Sequence, residues 1–141
     1  MADGLPRKGN EPGSGPNPVP AATRVLLVDD HRPFLVSLGR FLEAVPDIEV
    51  VGVATSGLAA LEKVDTLQPD LVLMDVRMPE MDGLASTRRL KARSRSTRVV
   101  ILTIYDCGDY RHQASQAGAD GFVSKADLGI RLLPLIEEVV G

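Results

Sequence analysis

The sequence lacks the features that mark secreted, membrane-spanning and strongly charged proteins. One cysteine among 141 residues excludes an intrachain disulfide and favours a reducing compartment. No apolar run approaches the roughly 20 residues that a membrane-spanning helix needs, and the N-terminus has no apolar signal-peptide core. The net charge of −3 gives no general attraction to nucleic acid. We therefore expect a cytoplasmic protein with no membrane partner.

Two segments of different composition divide the chain. Residues 1–22 contain five prolines and four glycines but little apolar mass, so we expect a disordered tail there. The whole chain is 44% hydrophobic, which at this length supports one core. We therefore expect a single folded domain over residues 23–141.

Strands and helices are predicted to alternate five times after the tail. Apolar runs predict strands at about 24–30, 48–54, 70–75, 98–104 and 120–124. Helical spacing of apolar residues predicts helices that begin near Pro33 and then span about 57–67, 83–95, 108–117 and 127–140. The fifth helix is expected to bury Ile130, Leu133, Ile136 and Val140. The alternation predicts an α/β fold, a doubly wound five-stranded parallel sheet with helices on both faces.

Acidic side chains stand where two of the predicted strands end. Asp29 and Asp30 close the first strand, and Asp75 closes the third. Because the carboxyl ends of parallel strands share one edge of the sheet, these acids should converge in one crevice. Like charges at that distance repel each other unless a cation lies among them. We therefore expect a divalent metal site with oxygen ligands, beside an aspartate that can itself react.

Thr103 and Lys125 end two further strands at the same edge. Taken singly, each polar residue has an ordinary interpretation: Asp29 or Asp30 could cap the first helix, and Lys125 could be a solvated surface lysine. Five polar residues that end four apolar strands favour a functional site instead. The basic run over 88–98 has no interleaved aromatic residue, so a solvated helix face is favoured over a nucleic-acid patch.

Several motifs together are highly specific. They are Val28-Asp29-Asp30, Met74-Asp75, Met78-Pro79, Met81-Asp82-Gly83, Thr103 and Lys125. With them, residues 24–140 resemble the receiver domain of bacterial two-component response regulators, and the segments 102–106 and 118–125 are most similar to the NarL-like (LuxR-type) subfamily. The resemblance implies the flavodoxin-like (βα)5 receiver fold with strand order 2-1-3-4-5. Most members of that subfamily carry a helix-turn-helix domain after the receiver, so we expect either a stand-alone receiver or a fragment.

The resemblance also implies a chemistry for the acids. Asp75 would accept a phosphoryl group from a sensor histidine kinase. Asp30 and Asp75 would bind Mg²⁺ directly, Asp29 would bind it through water, and the backbone carbonyl of Arg77 would complete the protein ligands.

The remaining site residues receive their roles from the same resemblance. Lys125 would pair with a phosphate oxygen and Thr103 would donate its hydroxyl to another. Phe122 stands at the position of the family's switch aromatic. Arg77 and Tyr105 lie two residues after Asp75 and Thr103, where large side chains should hinder hydrolysis of the acyl phosphate.

The expected function is a phosphorylation-controlled signalling switch rather than an enzyme, although the domain would catalyse its own phosphorylation and dephosphorylation. Its output would pass to an unknown partner, or to a homodimer through the face of the fourth helix, fifth strand and fifth helix. The alternatives are a degenerate receiver that acts as a phosphorylation-independent interaction module and the regulatory fragment of a transcription factor. A phosphatase with an aspartyl nucleophile is disfavoured because Arg77 occupies the place of its second acid.

Overall fold

A computed structural model describes residues 22–104 and 107–141 of the chain. The strands are β1 (Thr23–Val28), β2 (Ile48–Ala54), β3 (Leu71–Asp75), β4 (Arg98–Thr103) and β5 (Gly121–Ser124). The helices are α1 (Arg32–Glu43), α2 (Gly57–Leu67), α3 (Gly83–Arg93), α4 (Gly108–Ala117) and α5 (Leu128–Val140), and a 3-10 turn spans Lys125–Asp127. Residues 1–21, which form nearly all of the predicted tail, and Tyr105 lie outside the described residues.

The five strands form one parallel sheet in the order β2-β1-β3-β4-β5, as the resemblance implied. Val28 at the end of β1 pairs with Met74 in β3, and Asp75 pairs with Leu102 in β4. Because every strand runs in the same direction, all of the carboxyl ends lie at one edge of the sheet. The predicted fold class is therefore confirmed.

Two hydrophobic clusters cover the two faces of the sheet. One lies between the sheet and α2, α3 and α4, and the other lies between the sheet and α1 and α5. Strand residues of the first cluster include Leu26, Val72 and Ile101, and those of the second include Leu27, Leu73 and Val100. Neighbouring residues of a strand face opposite clusters, so each strand is apolar along its whole length.

Local signals account for where several helices begin and end. The Ser56 hydroxyl accepts the Ala59 N–H at 3.1 Å before α2, and the Asp82 carboxylate accepts the Ala85 N–H at 2.8 Å before α3. Both bonds satisfy amide groups that the first turn of a helix leaves without a partner. α4 ends at Gly118, whose φ of 97° is accessible to glycine at little cost. Among the described helices, none has both the length and the apolarity needed to cross a membrane.

The predicted buried face of the fifth helix was right for Leu133, Ile136 and Val140, which pack in the cluster of α1 and α5, and wrong for Ile130. Ile130 is 82% exposed, whereas Leu132, which the prediction left out, is fully buried beside Ile136. The helix carries apolar side chains around most of its circumference, so more than one stripe has helical spacing. Packing against Val123 of β5 selects the stripe that contains Leu132, and Ile130 is left on the surface.

Candidate functional site

Three carboxylates meet at the carboxyl edge of the sheet. Asp29 and Asp30 directly follow β1, and Asp75 is the last residue of β3. One oxygen from each of these carboxylates lies within 4.8 Å of the others. Asp29 and Asp75 are buried, and Asp30 is exposed. The structure therefore brings together the three acids that the sequence placed in one crevice.

Both oxygens of Asp29 have hydrogen-bond partners. Oδ1 accepts the His31 N–H at 2.9 Å, and Oδ2 lies 2.6 Å from Lys125 Nζ. His31 is the N-cap of α1, and its own side chain makes no capping hydrogen bond. Asp29 therefore accepts the N–H of the N-cap residue but is not itself the cap of α1, and its second oxygen lies against Lys125. Within residues 22–104 and 107–141, no hydrogen bond or ion pair engages the Asp30 carboxylate.

Lys125 reaches across the end of the sheet to the acids. Its Nζ lies 2.6 Å from Asp29 Oδ2 and 3.5 Å from Asp75 Oδ1, and the side chain is only 15% exposed. The same ammonium lies 4.0 Å from the centre of the Phe34 ring. The interpretation of Lys125 as a solvated surface lysine is therefore wrong.

The surroundings of Asp75 disfavour the ionised form of its carboxyl group. Burial raises the pKa of its carboxyl group, the negative charge of Asp29 raises it further, and Lys125 and the Val76 N–H lower it, for a net pKa of about 6. Lys125 alone therefore does not offset the burial of Asp75 and the charge of Asp29. A cation with oxygen ligands suits this donor set, because it would favour the ionised form of every carboxylate.

The loop that joins β3 to α3 folds back onto the backbone of Asp75. The Gly83 N–H donates to the carbonyl oxygen of Val76 at 2.8 Å, and a Cβ on Gly83 would collide with the carbonyl oxygen of Asp75. Only glycine allows this close approach of two backbone segments. The sequence predicted that a helix begins at Gly83, but it did not predict the close approach of Gly83 to the backbone carbonyl of Asp75. Within this loop, the side chain of Arg77 is exposed.

The other predicted site residues lie around this centre. Thr103 is buried at the end of β4, where it pairs with Ser124 of β5. Phe122 of β5 is half-buried, and the guanidinium of Arg111 lies 4.7 Å from the centre of its ring. Tyr105 lies outside the described residues, so its role and that of Arg77 in slowing hydrolysis stay predictions.

Sequence reasoning missed the contact between Phe34 and Lys125. Phe34 lies in the first turn of α1, and its ring packs against the cluster that α1 and α5 cover. The ring also faces the ammonium of Lys125, which follows β5 and is distant from Phe34 in the sequence. No local pattern in the sequence carries this pairing, since it depends on how the first and last βα turns meet.

Comparison with known proteins decides the family. A family model described as the response regulator receiver domain matches residues 25–134. The chain belongs to the receiver domain family of response regulators. The response regulator protein VraR of Staphylococcus saprophyticus is 38% identical over 102 residues, which cover 72% of this chain and 49% of that protein. The nitrate/nitrite response regulator protein NarL of Escherichia coli K12 is 36% identical over 101 residues, which cover 72% of this chain and 47% of that protein.

A solved structure agrees with this assignment. The two-component response regulator of the LuxR family from Aurantimonas sp. SI85-9A1 superposes with a TM-score of 0.82 at 29% identity, over 85% of this chain and 86% of that one. The predicted likeness to the NarL-like, LuxR-type subfamily is therefore confirmed. The chain spans about half the length of the curated relatives that it matches.

Proposed function

We propose that this receiver domain is a phosphorylation-controlled switch of a two-component system and that Asp75 is its phosphoacceptor. The observation that supports the proposal best is the setting of the Asp75 carboxylate. It ends a buried strand, stands among two other acids, and lies 3.5 Å from the ammonium of Lys125. Phosphoryl transfer needs a positioned nucleophile and cations that neutralise the charge of the transferring group, and Lys125 together with a cation held by the acids would supply that charge.

In this proposal Asp75 reacts with the phosphohistidine of a sensor kinase. A carboxylate oxygen of Asp75 forms a bond to phosphorus, while the bond from phosphorus to the histidine nitrogen breaks and its electron pair stays on that nitrogen. With a pKa of about 6, most of the Asp75 carboxyl groups are ionised and nucleophilic at neutral pH. Lys125 then leaves Asp29 and pairs with an oxygen of the new phosphoryl group, and Thr103 donates its hydroxyl to another.

The three acids fit Mg²⁺, which prefers oxygen ligands and retains several waters. Asp30 and Asp75 would hold it directly, with the backbone carbonyl of Arg77. Asp29 would contact it through water, which agrees with the engagement of both of its oxygens by His31 and Lys125. Bound there, Mg²⁺ would supply positive charge against the transferring phosphoryl group.

The output would pass through the face that comprises α4, β5 and α5. Ile130 and Phe122 give this face apolar surface, and Ile130 is 82% exposed. Thr103, drawn toward a phosphate, would open space for the ring of Phe122, and the face would change shape. The partner would be an output domain, a separate protein or a second copy of the chain.

A degenerate receiver that acts only through its surfaces is the second candidate. It is disfavoured because Asp29, Asp30, Asp75 and Lys125 are all present and assembled, which an interaction module would not need. The domain is better described as a phosphoacceptor that assists its own phosphorylation and dephosphorylation than as an enzyme with a separate substrate.

Mass spectrometry after incubation with acetyl phosphate and Mg²⁺ tests the proposal. The parent protein should gain one phosphoryl group, the Asp75→Asn variant should gain none, and omission of Mg²⁺ should reduce the yield. Asp47→Asn is the matched control, because Asp47 is an exposed acid in the loop before β2. An adduct of equal yield on the Asp75→Asn variant would show that another residue is the acceptor.

A further inference from the structure

The ammonium of Lys125 has an aromatic neighbour as well as two acidic ones. Its Nζ lies 4.0 Å from the centre of the Phe34 ring, within the distance at which a cation and an aromatic face attract each other. We propose that Phe34 is a positioning residue that holds Lys125 ready for the phosphoryl group. This inference rests on the proposed function and adds to it a residue outside the acid set.

The Phe34 ring is itself firmly placed. Phe34 lies in the first turn of α1, and its N–H donates to the carbonyl oxygen of His31 at 3.1 Å. Its side chain is half-buried against the hydrophobic cluster of α1 and α5. A ring with only two rotatable side-chain bonds that is packed on one side forms a rigid surface for a flexible partner. Lysine, by contrast, has four carbons between its backbone and its charge.

The three contacts of the Lys125 ammonium differ in what a reaction would do to them. A phosphoryl group on Asp75 would draw Lys125 away from Asp29, and it would also remove the free Asp75 carboxylate from the other contact. The ring of Phe34 carries no charge and does not titrate, so neither event abolishes its attraction for the ammonium. Phe34 therefore restricts Lys125 to the site while its acidic partners are exchanged for a phosphate oxygen.

The low exposure of Lys125 makes this contact more important than it would be on the surface. The side chain is 15% exposed, so little water competes with the ring for the charge. A leucine at position 34 would keep an apolar side chain against the cluster but would offer the ammonium no π face. A tyrosine would keep both the apolar body and the face. These two substitutions separate packing from positioning.

Affinity for beryllofluoride, a phosphoryl analogue, measures the effect in the presence of saturating Mg²⁺. Phe34→Leu should weaken binding by about 3- to 30-fold, the range expected for a partly desolvated cation–π contact. Phe34→Tyr should bind as the parent does. The affinity for Mg²⁺ alone should be nearly the same in all three proteins, because neither a phenylalanine, a leucine nor a tyrosine at position 34 adds or removes a carboxylate ligand.

A double-mutant cycle with Lys125→Met shows whether Phe34 acts through the lysine. In the Lys125→Met background, Phe34→Leu should cause no further loss of beryllofluoride affinity. An equal loss in both backgrounds would mean that Phe34 only supports packing and would overturn the inference. If the parent binds beryllofluoride and Phe34→Leu binds it equally well, the inference fails and the proposed function stands. If the parent does not bind it at all, both fail.

Nuclear magnetic resonance tests the contact itself without any analogue. Protons of the Lys125 ε-methylene group that lie over an aromatic face should resonate upfield of their usual position. The shift should persist in Phe34→Tyr and disappear in Phe34→Leu. An unshifted resonance in the parent would show that the ring and the ammonium do not meet in solution, which would overturn the inference.

Discussion

At the scale of single residues, Asp75 should decrease the stability of the metal-free domain at neutral pH. Its pKa of about 6 in the folded state lies above the ordinary value of 3.8. An acid with a raised pKa contributes stability that is fully present below pH 3.8 and is lost as the pH rises through 6. At pH 8 the folded protein therefore contains a buried carboxylate that would be better solvated in the unfolded chain.

The test is the free energy of unfolding of Asp75→Asn in the presence of a chelator. The variant should be more stable than the parent by about 1–3 kcal/mol at pH 8, and this difference should shrink steadily as the pH falls from 6 to 4. Urea titrations at several pH values measure the difference. Addition of Mg²⁺ at pH 8 should stabilise the parent more than the variant. A difference that stays constant between pH 8 and pH 4 would show that ionisation of Asp75 is not its cause.

At the scale of secondary-structure elements, hydrogen bonds of Asp120 link the starts of β4 and β5 to the end of α3. One carboxylate oxygen accepts both the Val99 N–H and the ammonium of Lys91, each at 2.9 Å, and Arg98 lies 3.7 Å from the other oxygen. Lys91 also donates to the carbonyl oxygen of Thr97 at 2.9 Å. The end of α3, the start of β4 and the start of β5 are thus joined by one group of polar contacts.

We predict that Asp120→Asn lowers the free energy of unfolding by about 1–3 kcal/mol, because it removes a charge from a partly buried group of hydrogen bonds. Asp65→Asn is the matched control. Asp65 pairs with Arg93 at 3.2 Å, but both side chains are more than half exposed, so its loss should cost less than about 1 kcal/mol. Urea denaturation at pH 7 compares the two. Equal costs would indicate that the Asp120 contacts are no stronger than a surface ion pair.

The boundaries of the elements were predictable because their signals are local. An apolar run that ends in a charge marks the end of a strand, and the predicted limits of β2, α2 and α4 agree with the structure. The first strand stops at Val28 rather than at Asp30, because the chain leaves the sheet at Asp29 and bends at Asp30 toward α1. Lys91 was grouped with a solvated basic face, yet it binds Asp120, a residue of a distant loop. Contacts of this kind leave no trace in local spacing.

The candidate site shows the same division. Asp29, Asp30 and Asp75 could be placed together from the sequence, because parallel strands bring their carboxyl ends to one edge. The contact of Phe34 with Lys125 and the close approach of Gly83 to Asp75 could not, because both depend on how turns pack against each other. The choice of Leu132 over Ile130 as the buried residue of α5 likewise depended on the packing partner.

At the scale of the whole molecule, the helices differ in how firmly they are attached to the sheet. α4 buries only Ala114 and Ala117, with Tyr110 half-buried, whereas α1 and α2 each bury larger aliphatic side chains. Small side chains remove little apolar area from water, so displacement of α4 should cost the least free energy. We therefore expect α4 to move more easily than α1 or α2 when the site changes.

We predict that beryllofluoride with Mg²⁺ changes amide-exchange protection in α4 and β5 more than in α1 or α2. A ligand shifts a conformational equilibrium only by its different affinity for the two states, and here the difference would arise if Thr103 and Lys125 turn toward the bound group as proposed. Hydrogen–deuterium exchange followed by mass spectrometry measures the change by segment. The Asp75→Asn variant serves as the control and should show no redistribution.

A uniform change over all helices would indicate general stabilisation by the ligand instead of a switch. Ligand binding by itself raises the free energy of global unfolding, and it therefore slows exchange at every amide whose exchange needs that unfolding. Protection confined to the turns around Asp75 would show that the signal does not leave the site, and α4 would then have no part in the output.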